Sequence, residues 1–360
     1  MTFAPLPGPG EVQLARELIL RFGWNTTCYQ VLNRGIRRWS DPERRALMGF
    51  VERNRVRVVA GAPVCDEAEL GKVLDAWETQ ARSAKRGVCY FGAEGRVHRA
   101  TAARADYSTV VLGAQPVWTP ANWRERFDGC ATCRAQRSRA RNKGLLVSEW
   151  QANRAENEPA IKRLLGEWLA TRGLPPMHFL VEPQTLGDLL GRRVFVAEID
   201  GEPVGFLIAS PIPCRNGWLT EQFVRGRLAP NGTVECLVDA AVIAMAESGA
   251  DYMTMGIVPL SGHGGFTENP AWLNALLTWA RAHGRRFYNF DGLDAFKSKF
   301  RPDFWEPIYA ISNEPQFSFR TLYAIVAAFS DGPPPWTLAR AVGRAAWQEW
   351  RWISGVDERD

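Results

Sequence analysis

The sequence predicts an α/β fold with mixed sheets, built as two similar halves. Three observations lead there. The chain has 360 residues, long for one domain and comfortable for two. Helical periodicities alternate with short apolar runs along its length. A strand–turn–strand pattern followed by proline also occurs twice: Ala46–Val51 and Val56–Ala60 ahead of Pro63, then Val194–Ile199 and Val204–Ser210 ahead of Pro211. Composition fits a globular chain, with 46% apolar and 23% charged residues. Disorder is expected only at the tips, 1–10 and 354–360.

In the first half, Glu11–Phe22 reads as a helix. Asp66–Lys85 is a second, with Asp66 as N-cap and Glu69 three residues on. Val88–Ala93 and Ser108–Leu112 are buried-type strands. A basic segment then runs as helix to Gly144, where glycine ends it. In the second half, Asn157–Thr171 is an amphipathic helix, and Asp200-Gly201 marks the turn of a hairpin. Gly217–Val224 is a strand, and Pro230–Thr233 a tight turn opening the helix Val234–Ser248. Tyr252–Ile257 (strand), Trp272–Ala282 (helix) and Arg286–Phe290 (strand) complete the half. Helix, hairpin, strand, turn, helix, strand, helix, strand is the element order of the acetyltransferase-like (GNAT) fold. Its double occurrence suggests a tandem pair. The expected division is 1–145 for the first half with its basic linker helix, 146–330 for the second, catalytic half, and 331–360 for a tail.

Charge and cysteine usage bound the function classes. Between Arg124 and Lys143 stand seven basic and two acidic residues, a surplus equal to the +5 net charge of the whole chain. The protein is therefore neutral with one basic segment, suited either to phosphates or to a solvated helix face. Seven cysteines without a regular framework favour reduced thiols in the cytoplasm. Cys130–Cys133 is a lone CxxC, and the four histidines, at 98, 178, 263 and 283, are scattered, so no metal site is expected. No run of about 18 apolar residues suggests a membrane span, and the N-terminus lacks a secretory pattern. The tail holds four of the fifteen tryptophans. Read as a helix, Trp336–Ile353 places Leu338, Val342, Ala346, Trp350 and Ile353 along one stripe, away from Arg340, Arg344 and Arg351. Such a helix suits a bilayer interface or packs on the protein body.

The densest motif is Arg285–Ala310, where lysines stand between aromatics. Phe287–Leu293, Lys297–Phe300 and Trp305–Tyr309 together resemble the closing motif of the C-terminal catalytic domain of lysyl-phosphatidylglycerol synthases, the aminoacyl-phospholipid synthases. Gly256–Ser261 resembles that family's Gly-x-x-Pro-Leu-Ser element. Arg134, Arg139, Ala140 and Gly144 fall in the register of the basic run joining its two halves. The resemblance covers most of residues 20–310, densely after 225 and thinly before 120. It implies the same tandem layout. Two departures stand out: the family's multi-span flippase has no counterpart in this sequence, and Thr171–Glu182 replaces its acidic, glycine-rich acceptor-side segment.

Candidate site residues follow. The turn Arg225–Thr233 opens a helix, whose N-terminal N–H groups attract anions; Arg225, Arg227, Asn231, Gly232, Thr233 and nearby Glu235 are expected to bind phosphate or substrate. This is where acetyltransferase-like enzymes hold the pyrophosphate of coenzyme A, although the glycine pattern here differs from that fingerprint. Arg134, Arg137, Arg139 and Arg141 are the expected polyanion contacts. Ser261 and His263 sit at a strand mouth, with an exposed loop histidine as the plainer reading of His263. Asp291, taken as following a strand, is the expected base or amine-binding group, with an Asp-Gly turn as the alternative. Lys297 and Lys299 share a face on a strand and diverge on a helix. The resemblance implies positive charge there for phosphate or oxyanion, making Lys299 catalytic and Lys297 a binding residue.

The expected function is acyl transfer to a lipid or amphiphile at a membrane surface, by an enzyme with no tightly bound cofactor. The resemblance implies aminoacyl-tRNA as donor and a phospholipid as acceptor, with tRNA and an anionic membrane as partners and a peripheral, cytoplasmic location on the inner face. A rival keeps the fold and uses acyl-CoA or acyl carrier protein to acylate a lipid amine such as a sphingoid base. A non-catalytic lipid-binding module is the third reading.

Overall fold

The computed structural model describes residues 9–171, 178–265, 269–283 and 290–330. The expected tail helix, most of the strand Arg286–Phe290 and the tips 1–8 and 354–360 lie outside them. The first half opens with α1 (Pro9–Phe22) and three antiparallel strands, β1 (Arg37–Ser40), β2 (Leu47–Arg53) and β3 (Val56–Ala60). Asn54 and Arg55 both take positive φ in the two-residue β2–β3 loop, the backbone that matches the strand twist. Asp66 caps the turn that leads into α2 (Leu70–Ser83). Buried Leu70, Val73, Leu74, Trp77 and Ala81 of α2 recur at helical spacing. β4 (Gly87–Ala93) lies parallel to β3, as a helical crossover requires. After α3 (Gly95–Thr101), the long β5 (Ser108–Trp118) leads to α4 (Trp123–Asp128) and the basic helix α5 (Ala131–Arg141).

The second half carries β6 (Leu146–Trp150), α6 (Ala152–Asn157), α7 (Pro159–Ala170), β7 (Arg193–Ile199), β8 (Glu202–Ile212) and β9 (Gly217–Arg225), with the four strands antiparallel in turn. α8 (Thr233–Glu247) crosses to β10 (Tyr252–Thr254), parallel to β9. β11 (Val258–Pro259), α9 (Ala271–His283), α10 (Phe290–Ser298), β12 (Phe304–Ser312) and α11 (Phe319–Phe329) close the described chain.

The halves share a topology, although the repeat is offset by one strand from the sequence reading. β1–β2–β3–β4 and β7–β8–β9–β10 both run antiparallel, antiparallel, parallel, with a helix in the parallel crossover. The first hairpin thus corresponds to β8–β9, and not to β7–β8 with its Asp200-Gly201 turn. Alternation and turn chemistry mark a hairpin, but only the helical crossover fixes its place in the sheet.

The described strands form one sheet in the order β1-β2-β3-β4-β12-β5-β10-β9-β8-β7-β6, with β11 on β5. The boundary expected at 145/146 does not divide it. β12 lies between β4 and β5, pairing Ile311 with both Tyr90 and Thr109. In return the end of β5 pairs with β10. Each half completes its sheet with a strand of the other. Gly113 marks the crossing point: a Cβ there would lie 2.2 Å from Val258 O. Helices cover both faces. α1 and α11 pack with Val58 and Ala310 on one face of the first half, and Trp77 of α2 with Val59 and Ile311 on the other. In the second half α4, α5 and α8 gather Trp118, Trp123, Phe127, Leu237 and Phe300, while α7 covers Phe206 and Val224 opposite. Among the described residues no helix is long and apolar enough to cross a membrane.

Candidate functional site

β9 and β10 pair only from Gly217 to Leu219; β9 then continues to Arg225 paired with β8 on its other side. The chain after β10 is braced from above by α10. Lys297, 5% exposed, donates to the carbonyls of Met255 (2.6 Å), Gly256 (2.8 Å) and Ile257 (3.1 Å). Burial pushes its amine down to about 7, against the pull of Asp294 in the other direction. Beside it, Phe296 packs edge-on against Phe223 of β9 and against Phe300. The widening gap between β9 and β10 is therefore covered by α10.

Asp294 is where the polar groups meet. Its carboxylate accepts from Ser261 Oγ at 3.3 Å and Ser298 Oγ at 3.0 Å, and lies 4.0 Å from His263 Nε2. Ser261 is 1% exposed and also receives the His263 N–H. The His263 ring stacks on Trp305, 4.3 Å between centroids and 11° between planes. That stacking holds a half-exposed imidazole beside a carboxylate, an arrangement able to accept a proton.

The sequence reading placed Asp291 at a strand end. It stands instead in the first turn of α10, half-buried, and Lys297 is also helical. Asp291, Asp294 and Ser298 then fall at i, i+3 and i+7, on one face. Asp294 was missed because it shows its significance only in that helical phase.

The predicted anion turn is packed rather than open. Thr233 is fully buried and its hydroxyl donates to Pro230 O. Gly232 has φ +98, and a Cβ on it would lie 2.0 Å from Gln136 O of α5. Helix α5 thus closes over the first turn of α8. Arg225 holds Ala229 O and Asn231, while Arg227 is exposed. From the same turn of α8, Glu235 accepts Lys299 Nζ at 2.6 Å, and that ammonium lies 4.1 Å from the Phe296 ring centre.

The basic residues divide by role. Arg137 joins Asp128 and buried Asp239, both at 3.0 Å, and so ties α5 to α4 and α8. Burial pushes its guanidinium down, but Asp239 and Asp128 outweigh it and the net shift is upward. Arg134 donates to Asp128 O and Arg139 to Gln136. Arg139 and Arg141 are exposed. Cys130 and Cys133, expected as reduced thiols, are joined as a disulfide in the turn that starts α5. No cluster of metal-binding type occurs among the described residues.

A buried network at the seam of the halves also went unread. Arg215 pairs with Glu94 at 2.5 Å and Glu306 at 2.8 Å, and Tyr252 and Gln115 donate to Glu306 at 2.8 and 2.9 Å. Burial raises the Glu94 carboxyl, with Arg215 pulling it back. Glu306 belongs to the Trp-Glu-Pro motif, the one sequence signal pointing here.

The family model described as phosphatidylglycerol lysyltransferase, C-terminal, matches residues 16–312. Among solved structures, the C-terminal (DUF2156) domain of a protein named as a lysylphosphatidylglycerol synthetase from Agrobacterium fabrum is 19% identical. Its TM-score is 0.76, over 90% of this chain and 98% of that one. L-PGS from Bacillus licheniformis, also 19% identical, gives a TM-score of 0.75 over 91% and 98%. FemX shares the fold more distantly, at 10% identity and a TM-score of 0.52 over 91% of this chain and all of that one. No curated protein sequence matches the chain. With most of its length inside that family model and its mixed α/β fold shared with those structures, the chain belongs to the phosphatidylglycerol lysyltransferase C-terminal family, a family of aminoacyltransferases.

Proposed function

We propose that this protein transfers an aminoacyl group from aminoacyl-tRNA to a phospholipid at a membrane surface. The observation that carries the reading is the meeting of Ser261, His263, Asp294 and Lys297 at the open end of β10, inside the segment matched by the family. In the reaction, an acceptor hydroxyl oxygen attacks the ester carbonyl carbon. The bond from that carbon to the tRNA ribose oxygen breaks, and the proton of the acceptor hydroxyl ends on the ribose oxygen. The His263–Asp294 pair is suited to carry that proton. Lys297 holds the Met255–Ile257 backbone that shapes the site, and the Lys299 ammonium, held by Glu235, offers charge for the developing oxyanion or a phosphate.

Two observations favour this donor over acyl-CoA. The first turn of α8, where a pyrophosphate would sit, is closed by Gln136 of α5. The carbonyls that follow β10 are already taken by Lys297. The test is lipid mass spectrometry of cells with and without the protein, followed by reaction of the purified chain with charged tRNA and phosphatidylglycerol. An aminoacylated lipid that depends on Asp294 supports the proposal. A missing N-acyl lipid in its place sinks it and moves the assignment to a fatty-acyl N-acyltransferase.

A further inference from the structure

The sheet ends at β6. β7 pairs with it from Leu146 (opposite Glu198) to Trp150 (opposite Val194), and among the described residues no strand lies on its other side. Alternate residues of β6 therefore turn their N–H and C=O groups away from β7, toward an open edge. Natural edges are commonly blunted by proline, lysine or a bulge. β6 has none of the three: it reads Leu-Val-Ser-Glu-Trp, and its register on β7 runs unbroken. Its one charge, Glu149, is held by both arms of Arg193, at 2.7 and 2.8 Å. Leu146, at the start of the strand, is 73% exposed.

The two faces of β6 differ. Val147 packs with Phe195 and Ala197 on the side of α8, and Trp150 with Val194 and Val196 on the side of α7. Alternation along the strand puts Glu149 with Val147, and Leu146 and Ser148 with Trp150. A groove follows β6 on the α8 side, and its two ends carry opposite charge. Arg141 lines one end, where its charge reaches Cys236 in the first turn of α8, and exposed Lys143 follows it in sequence. Glu247, the last residue of α8 and also exposed, lines the other end. Arg193 ties that end of α8 to β6 by donating to both Ser248 and Glu149.

We infer that two copies of this chain join through β6, antiparallel about a two-fold axis at Ser148, so that one sheet continues across both. The axis follows from the strand itself: the five residues Leu146–Trp150 pair end to end only when Ser148 faces Ser148. Leu146 then comes opposite Trp150 of the second copy and is covered. An axis perpendicular to the sheet keeps both α8 helices on one face. It brings the Arg141 and Lys143 end of each groove to the Glu247 end of the other, so the charge match occurs twice, as a self-complementary interface requires. An unrelated partner would have to supply both charges in reverse order beside a free strand edge; a second copy supplies all three. The inference does not rest on the transferase reading, and its failure leaves that reading standing.

The experiment is sedimentation velocity of the purified chain over a range of concentrations. A dimer that grows with concentration is expected, and Leu146→Lys should abolish it. Arg141→Glu and Glu247→Arg should each weaken it by about tenfold, and the two combined in one chain should restore most of the loss. Ser148→Cys stands on the axis, opposite its own copy, and should link the two chains by a disulfide under mild oxidation. Leu146→Cys, about 13 Å from its own copy along the edge, should not. Wild type, with Cys214 exposed, is the control for unrelated linkage. All four positions are exposed and can change without disturbing the core, which melting curves of each variant check. A chain that stays monomeric throughout overturns the inference. So does a dimer that Leu146→Lys leaves intact or that Ser148→Cys does not link. A monomer that dimerises only once residues 331–360 are removed also overturns it, by giving the edge to that segment.

Discussion

Replacing Lys297 by Met tests the brace over β10 and the state of its amine together. Met keeps length and apolar bulk but donates nothing to the carbonyls of Met255, Gly256 and Ile257. The wild-type amine is pushed down to about 7 in the folded chain, whereas an unfolded lysine titrates near 10.4. Between those values the unfolded state holds a proton that the folded state has released. Stability from this group therefore rises with pH across that window, and the burial penalty is fully felt below about 7. From pH 7 to pH 9 the gain is about 2 kcal/mol. For 360 residues the unfolding entropy is about 0.76 kcal/mol/K, so the melting temperature of wild type should move about 3 °C relative to Lys297→Met. The assay is differential scanning calorimetry of both proteins at pH 6, 7, 8 and 9, with ionic strength fixed. The gap between them should widen with pH in favour of wild type. Parallel curves would refute the reasoning and mean that the three carbonyls keep the amine charged throughout. Asp294→Asn offers a check on the cause: losing that carboxylate should shift the window to lower pH.

Asp294→Asn should also lower turnover by about 10²- to 10⁴-fold if the pair with His263 carries the proton, with little change in melting temperature; unaltered turnover in the charged-tRNA assay removes Asp294 from the chemistry. Lys299→Ala should reduce turnover without unfolding the chain, and full activity would count against its role. Gly232→Ala forces a Cβ against Gln136 O at positive φ and should destabilise by about 2 kcal/mol, read as a lower melting temperature; no change would mean that α5 is free to move away. A fragment ending at 145 lacks β12 and should not unfold cooperatively alone, whereas adding the fragment 146–330 should restore a sharp transition; independent folding of the first fragment would contradict the observed strand pairing.

Much of the fold is legible locally. The Asp200-Gly201 turn, the amphipathic spacing of α2 and the glycine after α5 each act through neighbours in sequence, and each element stands where its chemistry placed it. What was not legible depends on distant partners. No strand was expected over Phe304–Ser312, which stood out only as a motif, and nothing in it announces β4 and β5 as its neighbours. The offset of the repeat had the same origin. At the site, Ser261, His263 and Lys297 stood out by residue type and motif, but aromatic Phe287–Phe290 suggested a strand running into Asp291. The helix that begins at Phe290 brings forward Asp294 instead. Burial also redistributed the arginines: Arg137 became a tie between helices because Asp239, far away in sequence, comes to lie beneath it.

The exchange of β5 and β12 sets a timetable for synthesis. β5 ends at Trp118 and β12 begins at Phe304, so about 190 residues separate them. At roughly 5–20 residues per second, the ribosome needs some 10–40 s to deliver the missing strand. For that interval β4 and β5 stand as unpaired edges, the feature that invites strands of other chains. Productive folding then depends on what shields those edges while the nascent chain waits. Slower translation across the second half should lower soluble yield more than slower translation across the first.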